Sequence, residues 1–430
     1  MRNPTADRGI DVRRIFGLLL IAAAVLSLCS DTRADDATNS WPQLLGPNRN
    51  GISTETGLID RFVSDGPKIV WRVPGGVGKS GIALDGKRAI TMVERGGKQT
   101  VLALDAASGK KLWQTPVAPA YRNSMGAGPR ATPTIASGSV YAFTGEGILV
   151  ALDQVTGKIR WQHNVVRDAG GKPAEYGMAC SPLVVGKLVI VTAGVKGASI
   201  VAYDTAKGTL VWKRGDDPAG YSSPALRTVA GREQVVVFTG AAAVGLVPKT
   251  GSQLWRYAFK TDYNCNIATP IAVGKSRLFI SSGENHGSVM LQLKPSGDGL
   301  EATEAWKSLG RKSVMRNEWQ TSLLIDGHLY GMDNVGAAGS ITHLNCVNAE
   351  TGKLVWREIR FGKGNLIAAD GKLYISTFKG DLVIVRASPK KFEELARAKV
   401  INGTRQAPAL LGGKIYLRDG KEIVCVDVRK

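Results

Sequence analysis

Histidine and cysteine are scarce in this chain, four and five in 430 residues, and aromatic residues make up only 7%. His163, His286, His328 and His343 are far apart, no two cysteines are adjacent, and no His-Glu-x-x-His, Gly-x-Ser-x-Gly or Cys-x-x-Cys occurs. These absences argue against a zinc hydrolase, a serine hydrolase and a covalently attached c-type haem. Past Leu28 no apolar run approaches the roughly 20 residues that a spanning helix needs, so no transmembrane segment is expected. Acidic residues are also in deficit, 36 against 56 basic ones. The basic residues are scattered and come at most in pairs such as Lys110-Lys111, Arg311-Lys312 and Lys390-Lys391. That pattern is a solvated basic surface, open to an anionic envelope polymer, and not a nucleic-acid stripe.

What is abundant is glycine, 52 residues, about 12% against a usual ~7%. Many tight turns and few long helices follow, and with 43% hydrophobic residues the expected class is an all-β packed body.

Arg2, Arg8, Arg13 and Arg14 precede the apolar run Ile15 to Leu28, and Thr32-Arg33-Ala34 closes it with a small-x-small pattern. This reads as a secretory signal peptide over residues 1–34, cleaved in a periplasmic or secreted product. An outer-membrane lipoprotein anchored through Cys29 is the lesser alternative, because Leu28 stands where a small residue is required. Removing five Arg and three Asp with the signal leaves a mature chain of +18. Cys180, Cys265, Cys346 and Cys425 then remain, widely separated, and are expected as free thiols.

Internal repetition fixes the architecture. Leu104-Asp105, Gly109-Lys110 and Trp113 align with Leu152-Asp153, Gly157-Lys158 and Trp161, and with Tyr203-Asp204, Gly208 and Trp212. Weaker copies contain Gly251 with Trp255 and Gly352 with Trp356, and a degenerate one reaches Trp306. The tryptophans from Trp71 to Trp356 recur every 42 to 51 residues, the length of a four-stranded propeller blade. In each copy the Asp carboxylate is expected to accept backbone N–H groups of a turn and Gly to supply φ > 0, while Trp fills the wedge between blades. Inner strands begin near Gly81, Pro133, Pro182, Pro224, Pro270, Ser322, Asn365 and Pro408, which gives eight blades over residues 67–430. The seventh has Phe392 to Val400 in place of its Trp. The eighth lacks a fourth strand, which Lys68 to Val73 supplies by pairing the two termini. Residues 35–66 are left outside the ring as an arm.

The Ala-Leu-Asp-x-x-Thr/Ser-Gly-Lys-x-x-Trp unit resembles the tryptophan-docking repeat of pyrroloquinoline quinone (PQQ) repeat propellers, a group that includes quinoprotein alcohol dehydrogenases and BamB-type outer-membrane assembly proteins. Trp41-Pro42-Gln43, Gly46-Pro47-Asn48-Arg49 and Gly51-Ile52-Ser53 also resemble the start of exported proteins described as PQQ-binding-like. These motifs consist of packing and turn residues, so they imply fold more than activity.

Propellers bind ligands at the axial funnel. The connections expected there carry Arg130, Glu175, Tyr176, Met178, Cys180, Tyr221 and Ser222, then Asp262, Asn264, Cys265 and Asn266, then Asn317, Glu318, Trp319 and Gln320, and finally Arg405 and Gln406. They suit an anionic or carbonyl-bearing ligand; equally, they could do no more than satisfy strand ends. The resemblance to quinoprotein dehydrogenases implies a Ca²⁺ held by Glu175, Asn264 and Glu318, with Glu318 also in the place of a catalytic Asp, and an Arg and a stacking Trp near the quinone. Against this, the adjacent cysteines of those enzymes are missing and the chain is shorter. Gly75 to Ser80 looks like a phosphate loop but has Val73 where Gly is needed, so it is a glycine-rich turn. Glu284-Asn285-His286-Gly287 reads as a loop tip. The expectation is therefore an exported, monomeric, non-catalytic propeller without a cofactor that binds or scaffolds an envelope protein or anionic polymer. A PQQ- and Ca²⁺-dependent alcohol or sugar dehydrogenase, and an anionic-polysaccharide-binding protein, are the alternatives.

Overall fold

Short β-branched and aliphatic runs joined by tight glycine turns pair with their sequence neighbours, because short loops close antiparallel strands cheaply. The computed structural model describes residues 1–2, 40–63, 66–336, 339 and 341–430. Ser40–Lys430 fold as one unit built on eight four-stranded antiparallel sheets, an eight-bladed β-propeller. The expected signal peptide and Cys29 lie outside the described residues, apart from Met1 and Arg2. Among the described residues no helix is long and apolar enough to cross a membrane.

The first blade runs from Ala83–Leu84 through Arg88–Arg95 and Lys98–Asp105 to Lys111–Pro119. Inner strands of the next six are Thr134–Ala136, Leu183–Val185, Ala225–Val229, Ile271–Val273, Leu323–Ile325 and Gly364–Ala369. The eighth blade joins Ala409–Leu411, Lys414–Arg418 and Glu422–Asp427 to Lys68–Pro74, so the termini close the ring as the repeat count required.

The repeat residues meet across blades. An added Cβ on Gly109, Gly157, Gly208 or Gly251 would fall 2.5–2.8 Å from Trp71, Trp113, Trp161 or Trp212, the tryptophan of the preceding blade, and Gly352 stands in the same relation to Trp306. All five glycines have φ between 68° and 73°. Glycine is required twice over here, for the left-handed turn and for the indole against it. Each indole N–H then donates into the next blade's turn, as from Trp71 to Ala106 O at 3.0 Å, Trp161 to Thr205 O at 3.0 Å and Trp356 to Ser388 O at 2.9 Å. Asp105, Asp153 and Asp204 cap those turns by accepting backbone N–H groups. Trp255 departs from the pattern. The fifth blade replaces the short turn with the long hairpin Gly287–Ser296 and Gly299–Leu309, and the Trp255 indole bonds Gln234 within its own blade instead. In the seventh blade the register puts Ala396 opposite Ile384, where other blades have Trp, and Phe392, four residues earlier, packs 5.9 Å from Trp356 of the sixth blade.

Cys346 and Cys425 pair in register with Trp356 and Trp71, as Ala103, Ala151 and Ala202 do with theirs. Both are buried free thiols, as is Cys180; Cys265 is free and half-buried.

The arm contributes no blade strand, but it does not lie outside the ring. Trp41 bridges Leu84 of the first inner strand, and Ile52 bridges Ala368 of the seventh. Between them Arg49 is 1% exposed and donates to Ser181 O at 3.1 Å, Pro224 O at 2.6 Å, Thr134 Oγ1 at 3.3 Å and Pro182 O. Arg227 returns bonds to Asn48 O and Arg49 O, both 2.8 Å. The arm therefore plugs the axis, because inner-strand carbonyls that converge there need donors and one guanidinium supplies several. Farther along, Leu58 N donates to Asp370 Oδ2, and Glu55 accepts from Gly412 and Gly413 N–H.

Candidate functional site: the plugged axial pocket

With the axis closed by the arm, the connections that lead into the inner strands enclose a pocket of about 540 Å³ with Trp41, Leu44 and Leu45 among its lining. One wall is an aromatic and cationic stack. Trp319 and Phe378 pack with ring centroids 5.6 Å apart, the Lys363 ammonium lies 4.3 Å from the Trp319 centroid, and the Arg405 guanidinium lies 4.8 Å from the same ring and 5.4 Å from Phe378. Glu318 stands behind them, 2% exposed, with Lys363 Nζ 3.8 Å from its Oε2. Neither Glu318 oxygen accepts a hydrogen bond among the described residues. Burial, reinforced by the nearby Glu284, pushes its carboxyl up to about 7 against the opposing pull of Lys363 and Arg405. Such a group is nearly half protonated at neutral pH, the condition in which a carboxyl can either give or take a proton.

The opposite wall is tyrosine-rich. Tyr176 stacks on Tyr221 at 5.7 Å and meets Tyr263 at 6.1 Å. Tyr263 and Asn264 both have positive φ, 55° and 56°, an uncommon backbone for non-glycine residues that holds the Tyr263 ring at the pocket. Arg130 reaches this wall but is committed to it: Nε donates to Tyr176 O at 2.7 Å, and Nη2 to Asn123 Oδ1 and Gly126 O at 2.8 Å. It holds the loop in place instead of offering donors to a ligand. Lys79 completes the cationic side; burial, with Arg405 and Arg130 nearby, brings its ammonium down to about 8.

Of the residues expected at the funnel, Arg130, Tyr176, Tyr221, Cys265, Glu318, Trp319, Gln320, Arg405 and Gln406 line this pocket, and Met178, Cys180, Ser222, Asp262 and Asn317 do not. Glu175 is exposed and is not part of the lining. Asn264 is likewise outside it, packed against Gly240. Asn266 is fully buried, and its amide is consumed by Thr239 O, Phe259 O and the Thr261 hydroxyl. Of the three calcium ligands implied by the resemblance, Glu318 is the one in the lining. Lys79, Lys363, Glu284, Tyr263 and Trp41 were not among the sequence candidates, yet all line the pocket. Lys363 sits in Gly362-Lys363-Gly364, just before the seventh inner strand, where position relative to the repeat would have found it.

The fold and site define a plugged eight-bladed propeller with one amphipathic axial pocket. The chain belongs to the family described as outer membrane protein assembly factor BamB, whose model matches residues 97–358. Tetrathionate hydrolase of Acidithiobacillus ferrooxidans is 24% identical over 310 residues, 70% of this chain and 49% of that protein, so the chain spans about half the length of that relative. Among solved structures, the quinohemoprotein alcohol dehydrogenase of Comamonas testosteroni superposes with a TM-score of 0.67 at 16% identity, over 96% of this chain and 84% of that one. BamB from Moraxella catarrhalis superposes with a TM-score of 0.60 at 14% identity, over 84% and 99%. At these identities the structural likeness establishes the fold.

The residues present do not suit the calcium of quinoprotein dehydrogenases. Ca²⁺ takes about six to eight oxygen ligands, whereas the charged neighbour 3.8 Å from Glu318 is an ammonium. Among the described residues no group of three His, Cys, Asp or Glu side chains is placed to hold a metal.

Proposed function

We propose that this protein is an exported, monomeric, non-catalytic binding module of the cell envelope that captures an anionic ligand in its axial pocket. The observation that carries the reading is the charge of the lining: Lys79, Arg130, Lys363 and Arg405 against Glu284 and Glu318. A cleft lined by an excess of one sign with low-dielectric walls concentrates ligands of the other sign. Trp319, Tyr176 and Tyr263 add apolar faces for a ring or a thin polarisable body. The relative's name supplies one concrete anion, tetrathionate, and the BamB family description supports a second kind of contact, an envelope partner protein or anionic polymer held at the blade edges.

Calorimetric titration of the purified protein with tetrathionate, galacturonate and PQQ, the last with and without Ca²⁺, tests the reading. Micromolar to low-millimolar binding of an anion, lost in Arg405→Gln and weakened by salt, supports it. The absence of any anion binding overturns it. The second reading, a PQQ- and Ca²⁺-dependent dehydrogenase of alcohols or sugars, has the half-protonated Glu318 beside the pocket in its favour and the absence of Glu175 and Asn264 from the lining against it. Ca²⁺-dependent PQQ binding with dye reduction that Glu318→Ala abolishes would replace the first reading with it.

A further inference from the structure

Where the inner strands start, the blades are joined by hydroxyls. Gly81 N–H donates to Thr132 Oγ1 at 3.1 Å, Thr132 N–H to Ser181 Oγ at 2.9 Å, Ser181 N–H to Ser223 Oγ at 2.8 Å, and Thr269 N–H to Thr321 Oγ1 at 3.0 Å. Each bond uses an acceptor lone pair of the hydroxyl and leaves its hydrogen. None of these four hydroxyls donates to a described residue, although the four side chains' residues are only 2–7% exposed and all line the pocket. Each hydroxyl keeps one lone pair as well, but its hydrogen is the part without a protein partner, and a buried O–H calls for an acceptor in the cavity.

A second observation has the same sign. Arg49 donates to the carbonyls of Ser181, at one of these joints, and of Pro224, next to Ser223 at another, and neither Arg49 nor Arg227 makes an ion pair among the described residues. Buried cations ordinarily carry a counter-charge, and these have only neutral acceptors, carbonyls and the Thr134 hydroxyl.

From both we infer that Thr132, Ser181, Ser223 and Thr321 offer their hydroxyl hydrogens at the arm end of the pocket to one oxyanion of the ligand, while Lys363 and Arg405 hold a second acid group against Trp319. The ligand class is then a dianion with acid groups at its two ends, carboxylate or sulfonate. A ligand with a single acid group leaves one site unfilled. This inference rests on the anion-binding reading of the pocket and specifies its ligand.

The test compares methanesulfonate with ethane-1,2-disulfonate, and acetate with succinate, by calorimetry on the wild-type protein at fixed ionic strength. The two-ended member of at least one pair is expected to bind ten-fold or more tightly. Ser181→Ala and Thr321→Val are expected to bring the ratio of two-ended to one-ended affinity toward one, with Ser181→Thr retaining the wild-type ratio. Equal affinities for one- and two-ended ligands in the wild type overturn the inference and leave the anion-binding pocket standing. No binding of any of the four removes the pocket reading itself. The wild-type comparison decides even where a variant fails to fold, and thermal melts identify such variants.

Discussion

The Lys363 ammonium stands 3.8 Å from Glu318 Oε2 and 4.3 Å from the centroid of the Trp319 ring. One cation thus serves both as partial counter-ion to a buried carboxyl and as a cover on an aromatic face. Its position sets the charge of the pocket as a function of pH, because Glu318 is the carboxyl here that is held up at about 7.

The first prediction follows from that value. Above pH 7 Glu318 ionises and adds negative charge beside Lys363 and Arg405, so anion affinity should fall several-fold between pH 6 and 8. In Glu318→Gln the fall should shrink to what remains from Lys79, whose ammonium is down at about 8. Stability follows the same sign: the native carboxyl keeps its proton between about 4.3, the ordinary glutamate value, and 7, while the unfolded chain has lost it. The native state binds more protons there, so stability is greatest below that window and falls as pH rises through it, by about 4 kcal/mol in total. Melting temperatures at pH 5 and 8 should show this decline in the wild type and not in Glu318→Gln.

The blade joints yield a paired prediction. Gly251 has φ 69° and a Cβ there would meet the Trp212 ring at 2.6 Å; Gly138 has φ 72° and meets nothing within 4 Å. Gly138→Ala should cost only the left-handed backbone penalty, about 1–2 kcal/mol. Gly251→Ala adds displacement of a tryptophan that is 5% exposed, and Trp212→Ala itself should cost about 3–5 kcal/mol. Urea denaturation of the three variants ranks them, and an equal loss for the two glycine variants would show that the indole contact contributes nothing.

How much of this was legible in the sequence depends on what each residue answers to. Asp153, Gly157 and Trp161 answer to rules within one repeat and its neighbour, and they recur, so blade number and ring closure could be read directly. Glu318, Trp319 and Arg405 were legible as pocket residues because they occupy a fixed place before inner strands. Asn266 was expected at the funnel because nothing in the sequence distinguishes an amide that faces a cavity from one consumed by Thr239 O and Phe259 O. Arg49 was the least legible: its partners come from the second, third and fourth blades, a convergence that exists only after the ring closes.

Cysteine chemistry separates the pocket from the core. Cys180, Cys346 and Cys425 are buried, whereas Cys265 is half-buried and lines the pocket. Burial, with Glu284, Glu318 and Glu175 nearby, pushes the Cys265 thiol up to about 12, so little thiolate forms at neutral pH. Iodoacetamide at pH 8 should leave all four unmodified over a period that fully alkylates the denatured chain. Cys265 should be the first to react as pH rises, and an anionic ligand in the pocket should slow it. Mass spectrometry of the peptides reads both outcomes, and earlier labelling of Cys346 or Cys425 would mean that their blades open before the pocket admits reagent.

The plug predicts a coupling between arm and ring. Replacing Arg49 by Met keeps much of the side-chain volume but leaves the carbonyls of Ser181, Pro182 and Pro224 without the donor they share. Each unsatisfied buried acceptor costs about 1–3 kcal/mol, offset in part because a guanidinium no longer has to be desolvated. Arg49→Met should therefore lower the melting temperature measurably. It should also loosen the arm, whose other bonds, such as Leu58 N to Asp370 Oδ2 at 2.9 Å and Lys372 Nζ to Asp60 at 3.1 Å, lie nearer the rim. Limited proteolysis reads this directly: cleavage at Arg61 should accelerate in Arg49→Met while the blades stay intact. Asp370→Asn, which weakens only the rim attachment, should expose Arg61 without altering the pocket. If Arg49→Met melts and is cleaved as the wild type is, the arm is held by its rim contacts alone and the axial guanidinium is dispensable.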